Sequence, residues 1–470
     1  MRLLKQNSKG QVLVLVAALI FVLIGIAALA LDIGRAYGIK ARLNAAVDAA
    51  SYEATKAIGQ GSDEALMKSK AILVATAYFN ANYPAGYLGA TPGSPTVNPV
   101  HDTNTGLWTV TVAATAQMPT FLSGVLGRGS FDIGASSESQ RRSLDMVLVM
   151  DTSHSLSEEF DLVKTNAEKY VDLFSEKDDR VGLVAFSTGA APIVSICRDM
   201  TPPLDAPTGL TCGRGFVKGT VGSKPPVGVE GAIEALKVHL TTNSEEGMKK
   251  ALDQLNSLAS DSRSATRVIV FFSDGAPNTY SSKISLAGGG SVDGNLYSNL
   301  YDDDNKKADK PNWYFDPKHY DDSDGTRVNI LAPLPTSGFD LSGTVPLASF
   351  NNRRSFSGGT SDTDVHCDVN KAARNMVENA ANMARSQGII VFTLGLGGNP
   401  DYLTSLEVSD CNYLQSVENG ANLLKRMANT KDSDTFNASQ PSGIYCYAKT
   451  TDDLKPCFDR IASAILRITK

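Results

Sequence analysis

The longest apolar stretch of the chain lies close to its first residue. Residues 12–31 form an uncharged apolar run of about the twenty residues that a helix needs to cross a bilayer. The alternative is a cleavable signal peptide, but its apolar region usually spans about 7–15 residues, and residues 32–35 are not a small-residue cleavage site. We therefore predict a retained transmembrane helix. Apolar residues recur at helical spacing to about Ile58, so we expect the helix to continue beyond the membrane.

The next pattern, over residues 59–143, predicts a small region of mixed α and β structure. A second helix is expected at 63–83, and the Gly-, Pro- and Asn-rich residues 86–104 are expected to form a loop. Alternating apolar residues predict strands at 108–114 and 131–137, with a short helix-like piece at 121–126. A long N-terminal helix followed by antiparallel strands resembles the pilin-like architecture, a likeness of shape that implies no activity.

From Leu144 onward, strand-like and helix-like segments alternate. The predicted strands are residues 144–151, 180–187, 192–196, 267–274, 388–395 and 444–448. The predicted helices are residues 158–176, 227–240, 245–259, 369–386 and 452–468. Such alternation is typical of an α/β domain, in which helices cover both faces of a mostly parallel, doubly wound sheet. The predicted domains are therefore residues 1–58, 59–143 and 144–470.

A long insertion interrupts this domain at about residues 277–366. The segment between Asp274 and Gly388 is much longer than a usual crossover connection. Apart from the helix at 369–386, it reads as loop. Trp313, Tyr314 and Phe315 indicate that the insertion packs somewhere or presents a binding surface.

Two acidic strings inside the insertion leave a choice between a cation site and a solvated loop. They lie at residues 301–305 and 321–325. An additional Ca²⁺ is one interpretation. The second string lacks the later Glu of an EF-hand loop, which favours the solvated loop.

The composition is that of ordinary globular protein and excludes nucleic acid as a partner. The 470 residues are 42% hydrophobic and 20% charged, with a net charge of −6. The chain has no basic stripe and no Gly-rich phosphate loop that ends in Gly-Lys-Ser or Gly-Lys-Thr. We therefore expect neither a nucleic-acid nor a nucleotide-phosphate site.

Cysteine usage indicates an oxidising compartment. The six cysteines are Cys197, Cys212, Cys367, Cys411, Cys446 and Cys457. Their number is even and none forms a Cys-x-x-Cys pair, so disulfides are favoured over a zinc site. Cys197 and Cys212 flank a Pro-rich loop, which a bridge between them would close. Six cysteines permit 15 pairings, and the sequence does not choose among them; for the other four we prefer Cys367 with Cys411 and Cys446 with Cys457.

Charges around the apolar run give an orientation. The flanking basic residues are Arg2, Lys5 and Lys9 before the run, and Arg35, Lys40 and Arg42 after it. No acidic residue precedes the run, which favours a cytoplasmic N-terminus, and disulfides belong outside the cytosol. We predict a short cytoplasmic tail, one span, and a bulk that is periplasmic or extracellular.

Side chains that could bind a ligand lie where predicted strands end. Asp151 ends the strand at 144–151, and Ser153 and Ser155 follow at alternate positions, while Asp274 ends another strand. In parallel sheets ligands bind outside the carboxyl ends of the strands. Carboxylate and hydroxyl oxygens suit a hard cation such as Mg²⁺.

The N-terminal segment resembles that of TadG-like proteins, which belong to the Tad (tight adherence, Flp pilus) assembly systems. The likeness rests on Lys9-Gly10-Gln11, on Leu31-Asp-Ile-Gly-Arg-Ala-Tyr37, and on Leu43 to Ala54 with its Asp48-Ala-Ala element. The resemblance implies other pilus components as partners. Type IV prepilins carry Glu at the fifth position after the cleaved Gly, whereas this chain has Leu15 there.

The second domain resembles the von Willebrand factor A fold of integrin I domains over residues 144–275 and 388–468. The metal-ion-dependent adhesion site of that family is Asp-x-Ser-x-Ser, then Thr, then Asp. Asp151, Ser153 and Ser155 match the first element and Asp274 the last. Thr242, five residues before Gly247, matches the Thr, with Thr241 as the fallback. The resemblance implies Mg²⁺ or Mn²⁺, whose coordination a Glu or Asp of a protein partner would complete.

These observations favour a membrane-anchored adhesion or pilus-assembly protein that is not an enzyme. One alternative is a structural, minor-pilin-like subunit whose metal only stabilises the fold. The least favoured is a metal-dependent hydrolase, because Ser153 stands where a haloacid-dehalogenase-like enzyme carries a second Asp, and His154 is a lone loop histidine.

Overall fold

The computed structural model divides into two compact units, Met1–Arg141 and Arg142–Thr469. The described residues are 9–58, 64–102, 107–120, 129–198, 209–210, 212–222, 224–274, 277–301, 307–316, 326–327, 331–351, 353–397, 411 and 419–468. The helix-like piece predicted at 121–126 lies outside them.

Helices form one layer of the first unit. Helix α1 runs over Lys9–Ile58, 50 residues, and α2 over Glu64–Asn82. The apolar side chains of α1 from Val12 to Leu31 are almost all exposed. By length and composition this is one helix that could cross a membrane. From Ile39 onward one face of α1 is buried among small residues such as Ala46 and Ala50.

A four-stranded antiparallel sheet forms the other layer. Its strands are β1 (Thr91–Pro92), β2 (Thr96–Asp102), β3 (Leu107–Pro119) and β4 (Ser130–Arg141). Strand β3 pairs with all three others, and its alternate residues from Trp108 to Met118 are buried in the core with α1 and α2. The loop predicted at 86–104 is wrong where β1 and β2 form. Pro99 hid β2, because proline is tolerated only where a strand lies at a sheet edge.

Arg35 joins the two layers of this unit where α1 leaves its apolar segment. Its guanidinium donates to the carbonyl oxygens of Leu88 at 2.7 Å and Pro119 at 3.1 Å. It also lies 3.5 Å from a carboxylate oxygen of Asp32, a residue that is only 2% exposed. Arg35 therefore fastens the helix to the end of β3 and to the segment before β1, and Asp32 lies against its guanidinium.

A six-stranded, mostly parallel sheet is the centre of the second unit, which confirms the predicted α/β class. The strands are β5 (Leu144–Asp151), β6 (Arg180–Phe186), β7 (Ala190–Val194), β8 (Thr266–Ser273), β13 (Ile390–Leu396) and β14 (Tyr445–Ala448). Their order across the sheet is β14-β13-β8-β5-β6-β7, and only β7 is antiparallel to its neighbour. This order makes β5 central.

Helices cover both faces of that sheet. They are α3 (Phe160–Val171), α4 (Gly228–Glu234), α5 (Ser244–Ser257), α6 (Asp362–Ser386), α7 (Gly420–Ala428) and α8 (Leu454–Ile468). One face packs on α5, α6 and α7 and the other on α3, α4 and α8. Helices α3 and α4 are shorter than predicted, and α6 begins earlier because Ser361 caps it. The sequence patterns did not predict α7.

The insertion contains a second antiparallel sheet, so its interpretation as loop was wrong. The strands are β9 (Thr279–Ser285), β10 (Ser291–Tyr301), β11 (Lys307–Asp316) and β12 (Thr326–Arg327), in the order β12-β11-β10-β9. These strands are too polar to show apolar alternation. Tyr280, Ile284 and Leu296 nevertheless join the core that α5 and α6 form with the main sheet. Trp313, Tyr314 and Phe315 belong to β11. Residues 302–306 and 321–325, which hold most of the acidic strings, lie outside the described residues.

Three disulfides link the cysteines in the pairs that the sequence analysis preferred. They are Cys197–Cys212, Cys367–Cys411 and Cys446–Cys457, with Cα–Cα distances of 5.6, 5.2 and 5.5 Å. The first closes the loop after β7, and the last ties β14 to α8. These cross-links favour an oxidising compartment for the second unit.

Candidate metal centre

The site begins at the carboxyl end of β5, the buried central strand. All of its residues are buried, down to Asp151 at its end. The next residue is pinned to β6, because both the N–H and the hydroxyl of Thr152 donate to the carbonyl oxygen of Phe186 at 2.9 Å. On the other side the N–H of His239 donates to the Thr152 carbonyl at 2.7 Å. The loop that carries the hydroxyl residues is therefore fixed at both edges.

Hydrogen bonds orient the first carboxylate and both serines. The backbone N–H of Ser153 donates to Oδ1 of Asp151 at 2.8 Å, and the hydroxyl of Ser273 donates to Oδ2 at 2.6 Å. The hydroxyls of Ser153 and Ser155 lie 3.0 Å apart. A buried carboxylate held through both oxygens keeps one orientation.

The second carboxylate belongs to Asp274, directly after β8, which pairs with β5. The Ser155 hydroxyl is hydrogen-bonded to it. Its Oδ1 atom is buried and has no hydrogen-bond partner among the described residues. Burial raises the pKa of Asp274. Burial and the nearby Asp274 charge both raise the pKa of Asp151. A buried carboxylate and a half-buried one thus lie near each other, at a cost that a cation would offset.

The threonine segment is fixed just after β6, where the Ser187 hydroxyl donates to the Thr241 carbonyl at 3.0 Å and the Asn243 N–H donates to the Ser187 carbonyl at 2.6 Å. The Thr242 N–H donates to Oδ1 of Asn278 at 3.0 Å, and the Asn278 N–H donates back to the Thr242 carbonyl at 3.1 Å. Asn243 caps α5 by accepting from the Glu246 N–H. Thr242 is only 7% exposed, and the hydroxyl of its neighbour Thr241 is buried without a hydrogen-bond partner among the described residues. Both candidate threonines are therefore held at the same edge of the sheet.

The donor set fits a hard divalent cation. Asp151, Ser153, Ser155 and Asp274 are joined by hydrogen bonds into one group, and carboxylates with neutral hydroxyl oxygens are ligands that Mg²⁺ accepts. The buried Asp274 Oδ1 has no hydrogen-bond partner among the described residues, so a cation there would displace no hydrogen bond. The described part of the chain holds no group of three or more His, Cys, Asp or Glu side chains that could bind a metal, and this centre has two carboxylates.

Sequence reasoning missed three residues that shape the centre. Ser273 holds Asp151 across two strands, Asn278 fastens the threonine segment, and His239 fixes the Thr152 carbonyl. The position of Ser273, next to Asp274 at a strand end, was the only local signal. The other two become neighbours of the site only through the strand order.

Two sequence families match parts of the chain. Residues 146–276 match the von Willebrand factor type A domain, and residues 10–57 match the family described as putative Flp pilus-assembly TadE/G-like. The second unit therefore contains a von Willebrand factor type A domain. The chain as a whole combines this domain with a TadE/G-like N-terminal region, which is consistent with a TadG-like protein. A search among curated proteins found no match.

Solved structures that match this chain at low identity include pilus proteins. The pilus adhesin SpaC of Lactobacillus rhamnosus GG is 14% identical at a TM-score of 0.36; the match covers 80% of this chain but only 35% of SpaC. The PilB minor pilin of Streptococcus sanguinis is 15% identical at a TM-score of 0.35, and the match covers 81% of this chain and 79% of PilB. The vWF domain of the type V pili tip protein Mfa5 from Porphyromonas gingivalis is 13% identical at a TM-score of 0.35, and the match covers 70% of this chain and 97% of the Mfa5 domain. At these values the likeness carries no functional argument.

Proposed function

We propose that this protein is a membrane-anchored, extracytoplasmic component of a Tad/Flp pilus system that binds a protein partner or surface through a divalent cation. The TadE/G-like segment and the apolar helix support the anchor and the pilus association. The three disulfides support the placement of the second unit outside the cytosol. A cytoplasmic N-terminus is part of the proposal, supported by the basic residues before the span.

One observation carries the binding part of this proposal: the buried Asp274 Oδ1 has no partner among the described residues and lies beside Asp151, Ser153 and Ser155. We assign Asp151, Ser153, Ser155, Thr242 and Asp274 as the ligands of Mg²⁺ or Mn²⁺. The bound cation would offer an exchangeable coordination position to a carboxylate of the partner.

The residues of this chain have distinct roles in that arrangement. Asp151 and Asp274 supply the negative charge, and the hydroxyls of Ser153, Ser155 and Thr242 supply neutral oxygens. Because only two ligands are charged, the site would retain affinity for an anionic group of the partner. Ser273 fixes the Asp151 carboxylate through its hydroxyl. These are binding roles, and we propose no turnover. A Ca²⁺ in the insertion stays a prediction.

A cation titration and a capture assay test the proposal together. We would titrate Mg²⁺ alone into the full chain in detergent, and compare capture of purified pilus fractions with Mg²⁺ or EDTA. Asp151→Ala should lose both signals. The matched control is Asp161→Ala, because Asp161 is 95% exposed on α3 and pairs only with Lys164 at the surface.

The outcomes separate binding from a structural role. If Asp151→Ala folds and still assembles but loses Mg²⁺ and capture, the adhesive function stands. If it fails to fold or assemble while Asp161→Ala behaves like wild type, the structural minor-pilin-like subunit is favoured instead. Equal capture by wild type and Asp151→Ala, with and without Mg²⁺, would contradict bridging by a metal.

A further inference from the structure

A cavity of about 590 Å³ opens between the edge strand β7, the segment after it, and α4. Its walls are mostly apolar and include Val181, Ile193, Val194, Phe216, Ala232 and Leu236. Ligand-binding clefts usually measure about 300–1,000 Å³ and have predominantly apolar walls with a few polar groups. The cavity therefore has room for one or two bulky side chains.

Positive charge and exposed apolar groups surround the mouth of this cavity. Arg198 and Lys237 both line it and are exposed, although the whole chain carries a net charge of −6. Val217 and Val227 line it with 41% and 48% of their surface exposed. An apolar cleft with a cationic rim is complementary to an acidic segment that also carries a large apolar side chain.

The cavity adjoins the loop of the candidate metal centre at His239. This residue lines the cavity, its N–H donates to the Thr152 carbonyl at 2.7 Å, and it forms a parallel bridge with Ser153. His239, in the wall of the cavity, is thus a direct neighbour of Thr152 and Ser153 in the loop after β5, which we call the metal loop.

We propose that this cavity is the specificity subsite of the metal centre. It receives a bulky apolar side chain from an acidic peptide segment of the partner, while a carboxylate a few residues away reaches the cation. Arg198 and Lys237 attract the segment, and the apolar walls select it. This inference rests on the proposed function, because it needs a cation at Asp151 and Asp274.

Synthetic peptides test the subsite without knowledge of the natural partner. We would measure fluorescence anisotropy of labelled peptides that carry one Glu and one Trp separated by a short run of Gly residues. The comparison peptides replace Trp by Ala or Glu by Gln. Burial of the Trp ring should tighten binding at least about tenfold over the Ala peptide, and replacement of Glu or removal of Mg²⁺ should abolish the Mg²⁺-dependent part.

Two matched substitutions locate the effect. Ala235→Trp fills the cavity from an exposed position on its wall and should remove the preference for the Trp peptide. Ala287→Trp places the same side chain on the exposed turn between β9 and β10 and should leave it unchanged. Charge reversal by Lys237→Glu should lower the affinity for every peptide that carries Glu. It should leave the ratio of Trp-peptide to Ala-peptide affinity unchanged.

The results distinguish failure of the subsite from failure of the function. If the Trp and Ala peptides bind alike in Mg²⁺, or if Ala235→Trp keeps the preference, the subsite is wrong and the metal function stands. If no peptide depends on Mg²⁺ or on Asp151, both are wrong. If the wild-type chain self-associates and Ala235→Trp abolishes this, a second copy occupies the cavity and the proposal is overturned.

Discussion

Asp274→Asn should nearly abolish the stabilisation of the second unit by divalent cations and should make the unit more stable in EDTA. In EDTA the wild-type chain keeps a buried carboxylate oxygen without a partner beside a second buried carboxylate. An unsatisfied buried polar group costs about 1–3 kcal/mol, and a charged one costs more. The amide is uncharged and removes the repulsion with Asp151. The variant should therefore be more stable than wild type in EDTA by about 1–3 kcal/mol.

In Mg²⁺ the comparison changes, because only wild type has both charged ligands. Binding to the native state alone stabilises a protein by about 2.7 kcal/mol at a free ligand concentration of about 100 Kd. Wild type should gain about that amount on transfer from EDTA to Mg²⁺, and Asp274→Asn should gain almost none.

Thermal and urea unfolding of the full chain in detergent, with EDTA or Mg²⁺, measure both quantities. Asp161→Asn is the control, because its exposed carboxylate lies outside the site and its response to Mg²⁺ should equal that of wild type. The reasoning is refuted if Asp274→Asn is less stable than wild type in EDTA, or if both gain equally from Mg²⁺.

Three further predictions concern stability. Arg35→Ala should lower the stability of the first unit by about 2 kcal/mol or more, because it removes two hydrogen bonds to carbonyls; thermal unfolding should show little change for Lys68→Ala, whose pair with Glu64 is exposed. The double change Cys446→Ser with Cys457→Ser should cost about 2–4 kcal/mol in urea unfolding, and dithiothreitol should then affect it less than wild type. Burial raises the pKa of Glu246 to about 7, so the native state binds a proton that the unfolded state releases, and stability should fall as pH rises from about 5 to about 8. Glu246→Gln should flatten this pH dependence in urea unfolding, and an unchanged slope would contradict it.

Local patterns predicted part of the molecule well. The α/β class followed from apolar runs at 144–151 and 267–274 that alternate with segments of helical periodicity. Such periodicity can be read from the sequence, because the direction of each side chain in a strand or helix follows from its position in the repeat. The strings at Asp151 and Asp274 stood out for the same reason, since each follows directly after a buried strand. The disulfide pairs of the structure agree with preferences that the sequence alone did not settle.

Other parts lacked a local signal. Strands β2, β9 and β10 are rich in polar residues or contain Pro99. They form because they pair with neighbours and, in the insertion, because Tyr280 and Leu296 are buried against α5 and α6. Burial of this kind outweighs intrinsic strand propensity, so it cannot be read from alternation within the segment.

The sequence by itself determined the membrane-length helix, the class of the second unit, and the residue types available at two strand ends. The order of the strands was decided only in the tertiary structure, since it depends on packing between segments far apart in the chain. That order places β8 and β6 on either side of β5. It thereby brings Ser273 to Asp151, leaves Asp274 Oδ1 buried and open, and sets His239 between the metal loop and the cavity.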